Sequence, residues 1–345
     1  MYKYGVSIFT GLDDYSREEN LKYLEQAASL GCKVIFSSAH ITEARDAVAE
    51  LEELIIEAKK YGMVISLDVS KPMMKNFKVP KDLYSLRLDY GFTFDEIVDM
   101  SNNAEYLVEL NVSVLNKNDL ETLIKMGLNT SRTRASFNYY PKLYTGHDIS
   151  TCQEIINECH KYNIPVLGFI PSKVGHRPPL YEGLPSIENH RYIDTDLAIE
   201  EMKAIGFDEI LFGDAYASIE EVIKLSLHQN EEIYLYMKKE KNVPSECLEL
   251  LDGIYRIRPD LNSYMIRVTS KRGKYDIKEF NTVERHYLDV TVDNLNFKRY
   301  KGEICIVLKD LPLDERVNVI GRLHTTEFLL TSVINKNSFR IIPIE

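Results

Sequence analysis

The sequence has few cysteines and no long apolar run. Its 345 residues contain five cysteines, and no two of them have the Cys-x-x-Cys spacing of metal and redox sites. An odd number of cysteines argues against a disulfide framework and fits a reducing compartment. No stretch provides the ~20 apolar residues that cross a bilayer. The first segment, Met1–Phe9, has the pattern of a strand and not of a signal peptide. These absences predict a cytoplasmic protein that does not bind a membrane.

Positive charge is scarce in the first two thirds of the chain. Residues 1–235 contain 23 Lys and Arg against 37 Asp and Glu, a net charge of −14. Residues 236–345 contain 19 against 16, a net charge of +3. The acidic first part argues against nucleic acid as a partner. An anionic substrate therefore has to be held by a few placed Arg or Lys side chains.

The first 235 residues alternate strand-like segments with amphipathic helical segments. Eight such units in this length match a closed (β/α)₈ barrel of roughly 250 residues. An open doubly wound sheet is the second interpretation, but no Gly-x-Gly-x-x-Gly loop follows any strand. The predicted fold class is therefore α/β, a TIM barrel. Its expected strands are Tyr4–Phe9, Val34–Ser37, Val64–Val69, Ser85–Asp89, Tyr106–Val112, Thr130–Phe137, Pro165–Ile170 and Glu209–Gly213.

Helix starts are marked by capping boxes, in which a Ser or Thr precedes a Glu by three residues. Three such boxes are present, at Ser16, Thr93 and Ser218. Ser150 with Gln153 has the weaker amide form and predicts a fourth helix start. In the third unit the segment Lys71–Leu83 contains two prolines, so we expect its helix to be short or irregular.

The pattern changes near Asn242, where strand-like runs begin to dominate. The charged run Lys238–Lys241 and the nearby Pro244 have the composition of a linker. We therefore predict two domains: a TIM-barrel domain over residues 1–237 and a smaller β-rich domain over residues 242–345. The expected strands of the second domain include Tyr264–Thr269, Ile304–Leu308, Asn318–Ile320 and Phe339–Ile344.

Polar side chains collect at the carboxyl ends of the predicted barrel strands, which form the active-site mouth in this fold. For any single residue, solvation explains a polar strand end as well as function does. For the whole set solvation is the weaker explanation, because charges near a barrel mouth need partners. The set comprises Ser37, His40, Asp68, Arg87, Asp89, Asn111, Asn138, Tyr139, Lys173 and Asp214.

The segment over residues 175–191, after the seventh strand, is unusually long. Long βα loops in compact domains often carry function. The segment contains three prolines together with His176, Arg177, Glu182, His190 and Arg191. A structural lid with solvated charges is the alternative, and we favour a functional role. The histidines lack a compact ligand spacing, so no metal is expected.

Two other side-chain types have simpler explanations. Lys173 has the chemistry to form a Schiff base, but contact with a phosphate or with water is the simpler interpretation. Cys152 and Cys159 lie on a predicted amphipathic helix, where a place in the core explains them.

These motifs resemble those of the bacterial 6-phospho-N-acetylmuramidases over essentially the whole chain. The most specific is Arg177-Pro-Pro-Leu-Tyr-Glu-Gly-Leu-Pro185, within residues 175–191. The others are Ser38-Ala-His40-Ile41, Arg87-Leu-Asp89-Tyr-Gly91, Asn138-Tyr-Tyr-Pro141 with Thr145-Gly146, His190-Arg191, Gly213-Asp214, Gly321-Arg322 and Ser338-Phe-Arg-Ile341.

The resemblance implies a barrel followed by a cyclophilin-like β domain. It also implies hydrolysis of 6-phospho-N-acetylmuramyl-N-acetylglucosamine, a phosphorylated amino-sugar disaccharide of peptidoglycan recycling, with no cofactor. A homodimer is compatible with the sequence. Two positions depart from the family pattern: Asn111-Val-Ser113 stands for Asn-Ala-Ser, and Lys142-Leu143 stands for Arg-Pro. The second departure affects the rim, where it bears on substrate detail.

Glycoside cleavage usually needs a carboxylic acid that protonates the leaving oxygen and a carboxylate that acts as nucleophile or base. We expect Glu182 and Asp214 to be close neighbours in these roles, with Asp89 as the main alternative partner. Arg177 is the first choice for binding the phosphate, ahead of Lys173, Arg191 and Arg87. The remaining expected substrate contacts are His40, Asp68, Asn111, Asn138 and His176.

Two other functions compete with the glycosidase. A phosphosugar lyase or aldolase would use Lys173 as its Schiff-base lysine. A non-catalytic phosphosugar-binding protein would use the same polar strand ends without turning its ligand over.

Overall fold

The computed structural model describes residues 3–39, 47–75, 77–228, 232–269, 272–336 and 338–345. The chain forms two compact units, one ending at Glu231 and the other beginning at Glu232. No helix within the described ranges combines the length and the apolar character that crossing a membrane requires.

In the first unit, eight described strands run parallel and close into a barrel in which β1 pairs with both β2 and β8. The predicted TIM barrel is therefore confirmed. All eight predicted strands are present, with ends that differ by at most three residues, and β3 agrees at both ends. They are β1 Lys3–Ser7, β2 Val34–Ser38, β3 Val64–Val69, β4 Ser85–Leu88, β5 Leu107–Asn111, β6 Thr133–Ser136, β7 Val166–Ile170 and β8 Glu209–Phe212.

The capping boxes at Ser16, Thr93 and Ser218 are confirmed, since each side chain accepts a hydrogen bond from the backbone of the predicted Glu. The prediction at Ser150 is wrong: helix α5 begins at Ile149, so Asp148 is its N-cap. Between β3 and β4, the described residues form only a 3₁₀ turn, Met73–Lys75, in agreement with the short or irregular helix that the two prolines predict. The helices are α1 Arg17–Ser29, α2 Ala47–Lys60, α3 Phe94–Asn103, α4 Lys117–Lys125, α5 Ile149–Lys161, α6 Thr195–Ile205 and α7 Ile219–Leu227.

The barrel interior contains an aromatic cluster near the mouth and a buried ion-pair network toward the amino ends of the strands. Phe9, Phe36 and Phe169 are fully buried and pack in one core cluster. Toward the amino ends of the strands, Arg134 forms ion pairs with Glu109 and Glu209, and all three side chains are buried. The aromatic cluster forms the floor of the mouth.

The second unit contains a seven-stranded sheet in its described part, with the order β10-β15-β9-β14-β12-β13-β11. Its β-rich character agrees with the prediction. The strands are β9 Ile233–Lys239, β10 Tyr255–Arg256, β11 Met265–Arg267, β12 Asp289–Asp293, β13 Ile304–Val307, β14 Val317–His324 and β15 Ser338–Ile344. Two helices accompany them, α8 Ser245–Leu250 and α9 Glu327–Lys336.

The start of the second unit differs from the predicted domain division. The sequence pattern places residues 232–237 in the barrel and predicts a linker over Lys238–Lys241. Strand β9 instead pairs with β14 and β15 of the second sheet. The physical reason is alternation: Ile233, Leu235 and Met237 are buried in that sheet, while charged side chains fall at the strand end.

Candidate active site

Arg87 on β4 connects polar side chains at the ends of β3, β4 and β6. Its side chain is buried, and its Nη1 donates to Asp68 Oδ1 at 2.7 Å and to Asp89 Oδ1 at 3.2 Å. Its Nε donates to Ser136 Oγ at 2.7 Å, and its Nη2 donates to Asn138 Oδ1 at 2.5 Å. The register of β3 and β4 places Asp68 beside Arg87. One buried cation thus holds two carboxylates and an amide in fixed positions.

Asp89 is the more accessible carboxylate of this network. Its side chain is 21% exposed, against 5% for Asp68. Asn111 on β5 donates from Nδ2 to Asp89 Oδ1 at 2.9 Å, while Ser38 donates to Asp68 Oδ2 at 3.3 Å. Because both aspartates accept from Arg87 Nη1, their bonded oxygens lie within about 6 Å of each other, a separation of the size that glycosidase carboxylates use.

A second row of hydrogen bonds fixes Asn138. The hydroxyl of Ser113 accepts from the backbone N–H of Asn138 at 2.7 Å and lies 3.0 Å from Nε2 of His147. The Tyr140 hydroxyl lies 2.9 Å from the same nitrogen. Burial lowers the pKa of His147, and Asp148 partly offsets this. Ser113 and His147 were not among the predicted site residues, because neither ends a strand; the available signals were the motif that ends at Ser113 and the Thr145-Gly146 pair before His147.

Tyr139 forms an aromatic wall beside this network. Its ring meets Phe9, Phe36 and Phe169 in edge-on geometry, with centroid distances of 6.0, 5.7 and 5.3 Å. Burial raises the pKa of Tyr139 to about 12, and the positive charge of Arg177 opposes that shift. The phenol therefore stays protonated at neutral pH.

Arg177 lies over this wall. Its guanidinium carbon is 4.9 Å from the centroid of Phe9 and 5.5 Å from that of Tyr139, within the range of cation–π attraction. The residue is only 9% exposed. Its Nε makes no hydrogen bond, and no carboxylate within the described ranges pairs with the side chain. A buried cation without an anionic partner is costly, so this position suits an anionic ligand.

Asp214, which follows β8, is fully buried and holds the long loop after β7. Its Oδ2 accepts from the backbone N–H of Ser172 at 2.9 Å and from that of Leu184 at 3.2 Å. Burial raises the pKa of Asp214 to about 6, while His176 and these backbone donors oppose the shift. Its Oδ1 has no hydrogen-bond partner in the described part of the chain. Asp214 therefore holds the backbone of the loop at two positions, Ser172 before it and Leu184 within it.

Arg191 and Glu188 connect the β7 loop to the β6 loop. Arg191 donates from Nη1 to the carbonyls of Glu182 and Gly183 at 2.8 and 2.6 Å, and from Nε to Glu188 at 2.8 Å. Its Nη2 donates to the carbonyls of Tyr140 and Lys142. All five N–H donors of Arg191 are thus directed at partners within the protein, so the side chain serves loop structure.

The remaining predicted residues are spread around the mouth. The ring nitrogens of His176 lie 2.9 and 2.8 Å from the carbonyl oxygens of Tyr181 and Ser172, so this ring braces the loop. Lys173 donates to the carbonyl of Arg191 at 3.2 Å, and desolvation lowers its pKa. His190 is buried against Glu201 at 3.1 Å. His40 lies outside the described residues.

The structure thus brings five predicted residues into one network and separates another predicted pair. Asp68, Arg87, Asp89, Asn111 and Asn138 are joined by direct hydrogen bonds. Glu182 and Asp214 were expected to be close partners. The Asp214 carboxyl is buried, the Glu182 side chain is exposed, and no hydrogen bond joins these two described carboxyl groups.

Two other observations bear on the chemistry of the site. Within the described ranges, no three His, Cys, Asp or Glu side chains converge as metal ligands would. All five cysteines are free and buried, which confirms that Cys152 and Cys159 are core residues.

Comparisons with known proteins cover both units. Residues 4–227 match the family model described as "6-phospho-N-acetylmuramidase, N-terminal", and residues 233–342 match the corresponding C-terminal model. An uncharacterized B. cereus protein has a similar crystal structure, with 29% identity, a TM-score of 0.87, and coverage of 100% of this chain and 99% of that one. A conserved Enterococcus faecalis protein of unknown function has 26% identity and a TM-score of 0.73, covering 99% of this chain and 96% of that one. No curated protein matches.

Proposed function

Because the chain belongs to the 6-phospho-N-acetylmuramidase family, we propose that it hydrolyses the glycosidic bond of 6-phospho-N-acetylmuramyl-N-acetylglucosamine. The observation that carries the proposal is the presence, at one barrel mouth, of an accessible carboxylate and of a buried cation with which no carboxylate in the described ranges pairs. Asp89 is the carboxylate and Arg177 is the cation. Asp89 follows β4 and Arg177 follows β7, so both residues lie at the carboxyl ends of the barrel strands.

We assign Asp89 the anionic role of nucleophile or base. Its carboxylate accepts hydrogen bonds from Arg87 and Asn111, and both donors favour the ionised form. Arg87 is itself held by Asp68, Ser136 and Asn138, so the carboxylate is positioned before substrate binds. Such preorganisation is what a reacting group needs, because no free energy is then spent on orienting it during the reaction.

We assign the proton-donor role to Glu182. Its carboxyl is exposed on the β7 loop, and no side chain within the described ranges binds it. Its backbone is nevertheless fixed, because Arg191 binds its carbonyl oxygen and Asp214 binds the N–H of Leu184. The side chain can therefore approach a glycosidic oxygen from a held backbone. Asp214 is treated as a positioning residue, because its oxygen is occupied by loop N–H groups.

We assign the phosphate to Arg177. A guanidinium can donate two parallel hydrogen bonds to a phosphate, and this one has donors that no described side chain uses. The rings of Phe9 and Tyr139 lie against the guanidinium group. Arg191 and Arg87 are unsuited to this task because their donors are bound to carbonyl, hydroxyl, amide and carboxylate oxygens of the protein.

The proposal also covers the cellular compartment and the second unit. The five free thiols fit a reducing cytoplasm, where a phosphorylated wall disaccharide would be met during peptidoglycan recycling. The second unit would be the cyclophilin-like domain of the family.

The direct test is turnover by the purified protein. The phosphorylated disaccharide is incubated with the protein in buffer without added metal or nucleotide, and products are separated by liquid chromatography and mass spectrometry. We expect equal amounts of N-acetylglucosamine and 6-phospho-N-acetylmuramic acid. Recovery of intact disaccharide that nevertheless binds would contradict hydrolysis and favour a binding protein. Loss of turnover with a chelator, restored by a divalent ion, would contradict the metal-free assignment.

One observation favours a second function, a lyase or aldolase that uses Lys173. Desolvation lowers the pKa of this amine, and a neutral amine is what Schiff-base formation requires. Borohydride added with substrate would then increase the mass of the protein at Lys173. The glycosidase proposal predicts no such adduct.

A further inference from the structure

Two exposed tyrosines lie beside each other on the rim of the barrel mouth. Tyr144, on the loop after β6, is 80% exposed, and Tyr192, at the end of the β7 loop, is 59% exposed. The two segments meet at Glu188, whose carboxylate accepts from the backbone N–H of Tyr144 at 2.8 Å and pairs with Arg191, the residue before Tyr192, at 2.8 Å. Large aromatic rings gain nothing from contact with water, so their exposure as a pair needs a reason.

The backbone at Tyr144 is held in an unfavourable conformation. Its φ is +63°, in the left-handed region that residues with a Cβ avoid. Such strain persists only where the surroundings impose it, and it concentrates at functional sites. Here the conformation directs a large ring outward into solvent, where packing gains nothing from it.

Glu188 and Arg191 impose this conformation. The carboxylate of Glu188 accepts from the backbone N–H of Tyr144 and of Gly146, both at 2.8 Å. Arg191 binds the carbonyl oxygens at the start of the same turn and pairs with Glu188 at 2.8 Å. A Cβ at position 146 would lie 2.8 Å from the backbone nitrogen of Glu188, so glycine is required there. A buried ion pair therefore fixes the turn that presents Tyr144.

The tyrosine pair is also electrically neutral. Arg191, the cation beneath it, has all its N–H donors directed at Glu188 and backbone carbonyls. Arg177, which pairs with no carboxylate among the described residues, lies instead against Phe9 and Tyr139. The mouth thus has one position suited to an anionic group and another suited to a neutral, flat one.

We infer that Tyr144 and Tyr192 form a binding platform for the unphosphorylated pyranose of the substrate, the N-acetylglucosamine that leaves. This inference rests on the proposed function. A pyranose has an apolar face of C–H groups, which packs on an aromatic ring, and hydroxyls at its edge, which can bond to the phenols. The phosphorylated sugar would be held at Arg177, and the neutral sugar would lie on the rim.

The test uses leaving groups of different size. Tyr144→Gly and Tyr192→Ala remove one ring each, and glycine at position 144 keeps the backbone conformation without strain. For the disaccharide we expect kcat/KM to fall about tenfold in each variant, which corresponds to about 1.4 kcal/mol. For the methyl glycoside of the same phosphosugar, which has no second ring, kcat/KM should stay near the wild-type value.

Tyr61→Ala is the matched control. Tyr61 is 43% exposed, but it lies between α2 and β3, at the opposite end of the barrel from the mouth. It should change neither substrate. Equal losses on the disaccharide and the methyl glycoside, or no loss on either, in the Tyr144 and Tyr192 variants would overturn the platform.

A binding measurement separates this inference from the proposed function. Saturation-transfer NMR with unphosphorylated N-acetylglucosamine needs no turnover. We expect transfer to the ring protons of the sugar in the wild type and in Tyr61→Ala, and its loss in Tyr144→Gly. This result in a protein that leaves the disaccharide intact would support the platform and contradict only hydrolysis. Equal transfer in wild type and Tyr144→Gly would contradict the platform whatever the activity.

Discussion

Arg177→Met removes a buried cation that has no carboxylate partner in the described part of the mouth, while keeping a long flexible side chain over the rings of Phe9 and Tyr139. A hydrogen bond to a charged group contributes about 1.5–3 kcal/mol. If Arg177 binds the phosphate, kcat/KM for the phosphorylated disaccharide should therefore fall about 10- to 150-fold. The unphosphorylated disaccharide offers no phosphate, so we expect its kcat/KM to be low in the wild type and to change little in the variant.

The melting temperature of the same variant provides an independent test. Arg177 is buried, and no carboxylate within the described ranges pairs with it, so the free protein gains little from this charge. Methionine should leave the melting temperature unchanged or raise it. Arg191→Met is the contrasting control, because it breaks hydrogen bonds to four backbone carbonyls and to Glu188. It should lower the melting temperature and reduce activity on both substrates together.

The assay is kcat/KM for the two disaccharides, which differ only in the phosphate, measured with wild type and both variants. Equal proportional losses of Arg177→Met on the two substrates would show that this side chain supports the fold of the mouth and does not bind the phosphate. A wild-type protein with no preference between the two substrates would refute phosphate recognition altogether.

Two further predictions concern the other carboxyl groups. Since Asp214 has a folded pKa of about 6, above its ordinary 3.8, the folded state holds its proton longer than the unfolded state. Its contribution to the free energy of unfolding should therefore fall by up to about 3 kcal/mol as pH rises from about 4 to 6. In urea unfolding experiments at a series of pH values, Asp214→Asn should reduce this dependence of the free energy on pH. The same pH dependence in the variant and the wild type would contradict the prediction. Asp214→Asn should also keep most of its kcat, because the amide oxygen can still accept the loop N–H groups, whereas Glu182→Gln should lower kcat at least ~100-fold. The reverse order of the two kcat values would make Asp214 the proton donor.

The barrel follows from local sequence patterns, which is why it could be predicted. Apolar periods, capping boxes such as that of Ser16 and Glu19, and short connections depend on residues close in the chain. The carboxyl ends of the strands then identify the mouth, so the sequence predicts that Arg87, Asp89 and Asn111 lie at the same edge of the barrel.

What could not be predicted depends on contacts between distant residues. Whether Arg191 meets a substrate or the carbonyls of Tyr140 and Lys142 is decided by how two loops pack. Glu182 and Asp214 come from adjacent units, yet one carboxyl is exposed and the other is buried, because Asp214 binds backbone N–H groups of the intervening loop. Sequence separation alone carries no information about these directions.

The start of the second unit illustrates a different difficulty. The run from Ile233 to Met237 has alternating apolar residues that suit either a barrel edge or a strand of another sheet. Its pairing with β14 and β15 involves partners about 80 to 110 residues further along the chain, and a local pattern does not specify such partners.

The central claim is that the carboxylate of Asp89, held by Arg87 and Asn111, takes part in cleaving the phosphorylated disaccharide. The most direct measurement is kcat of Asp89→Asn at saturating disaccharide, with the dissociation constant measured in parallel by calorimetry. Asparagine keeps the size of the side chain and an oxygen that can accept from Arg87 and Asn111, but it removes the charge. We predict a loss of at least ~100-fold in kcat with little change in affinity. A kcat near the wild-type value would contradict the account.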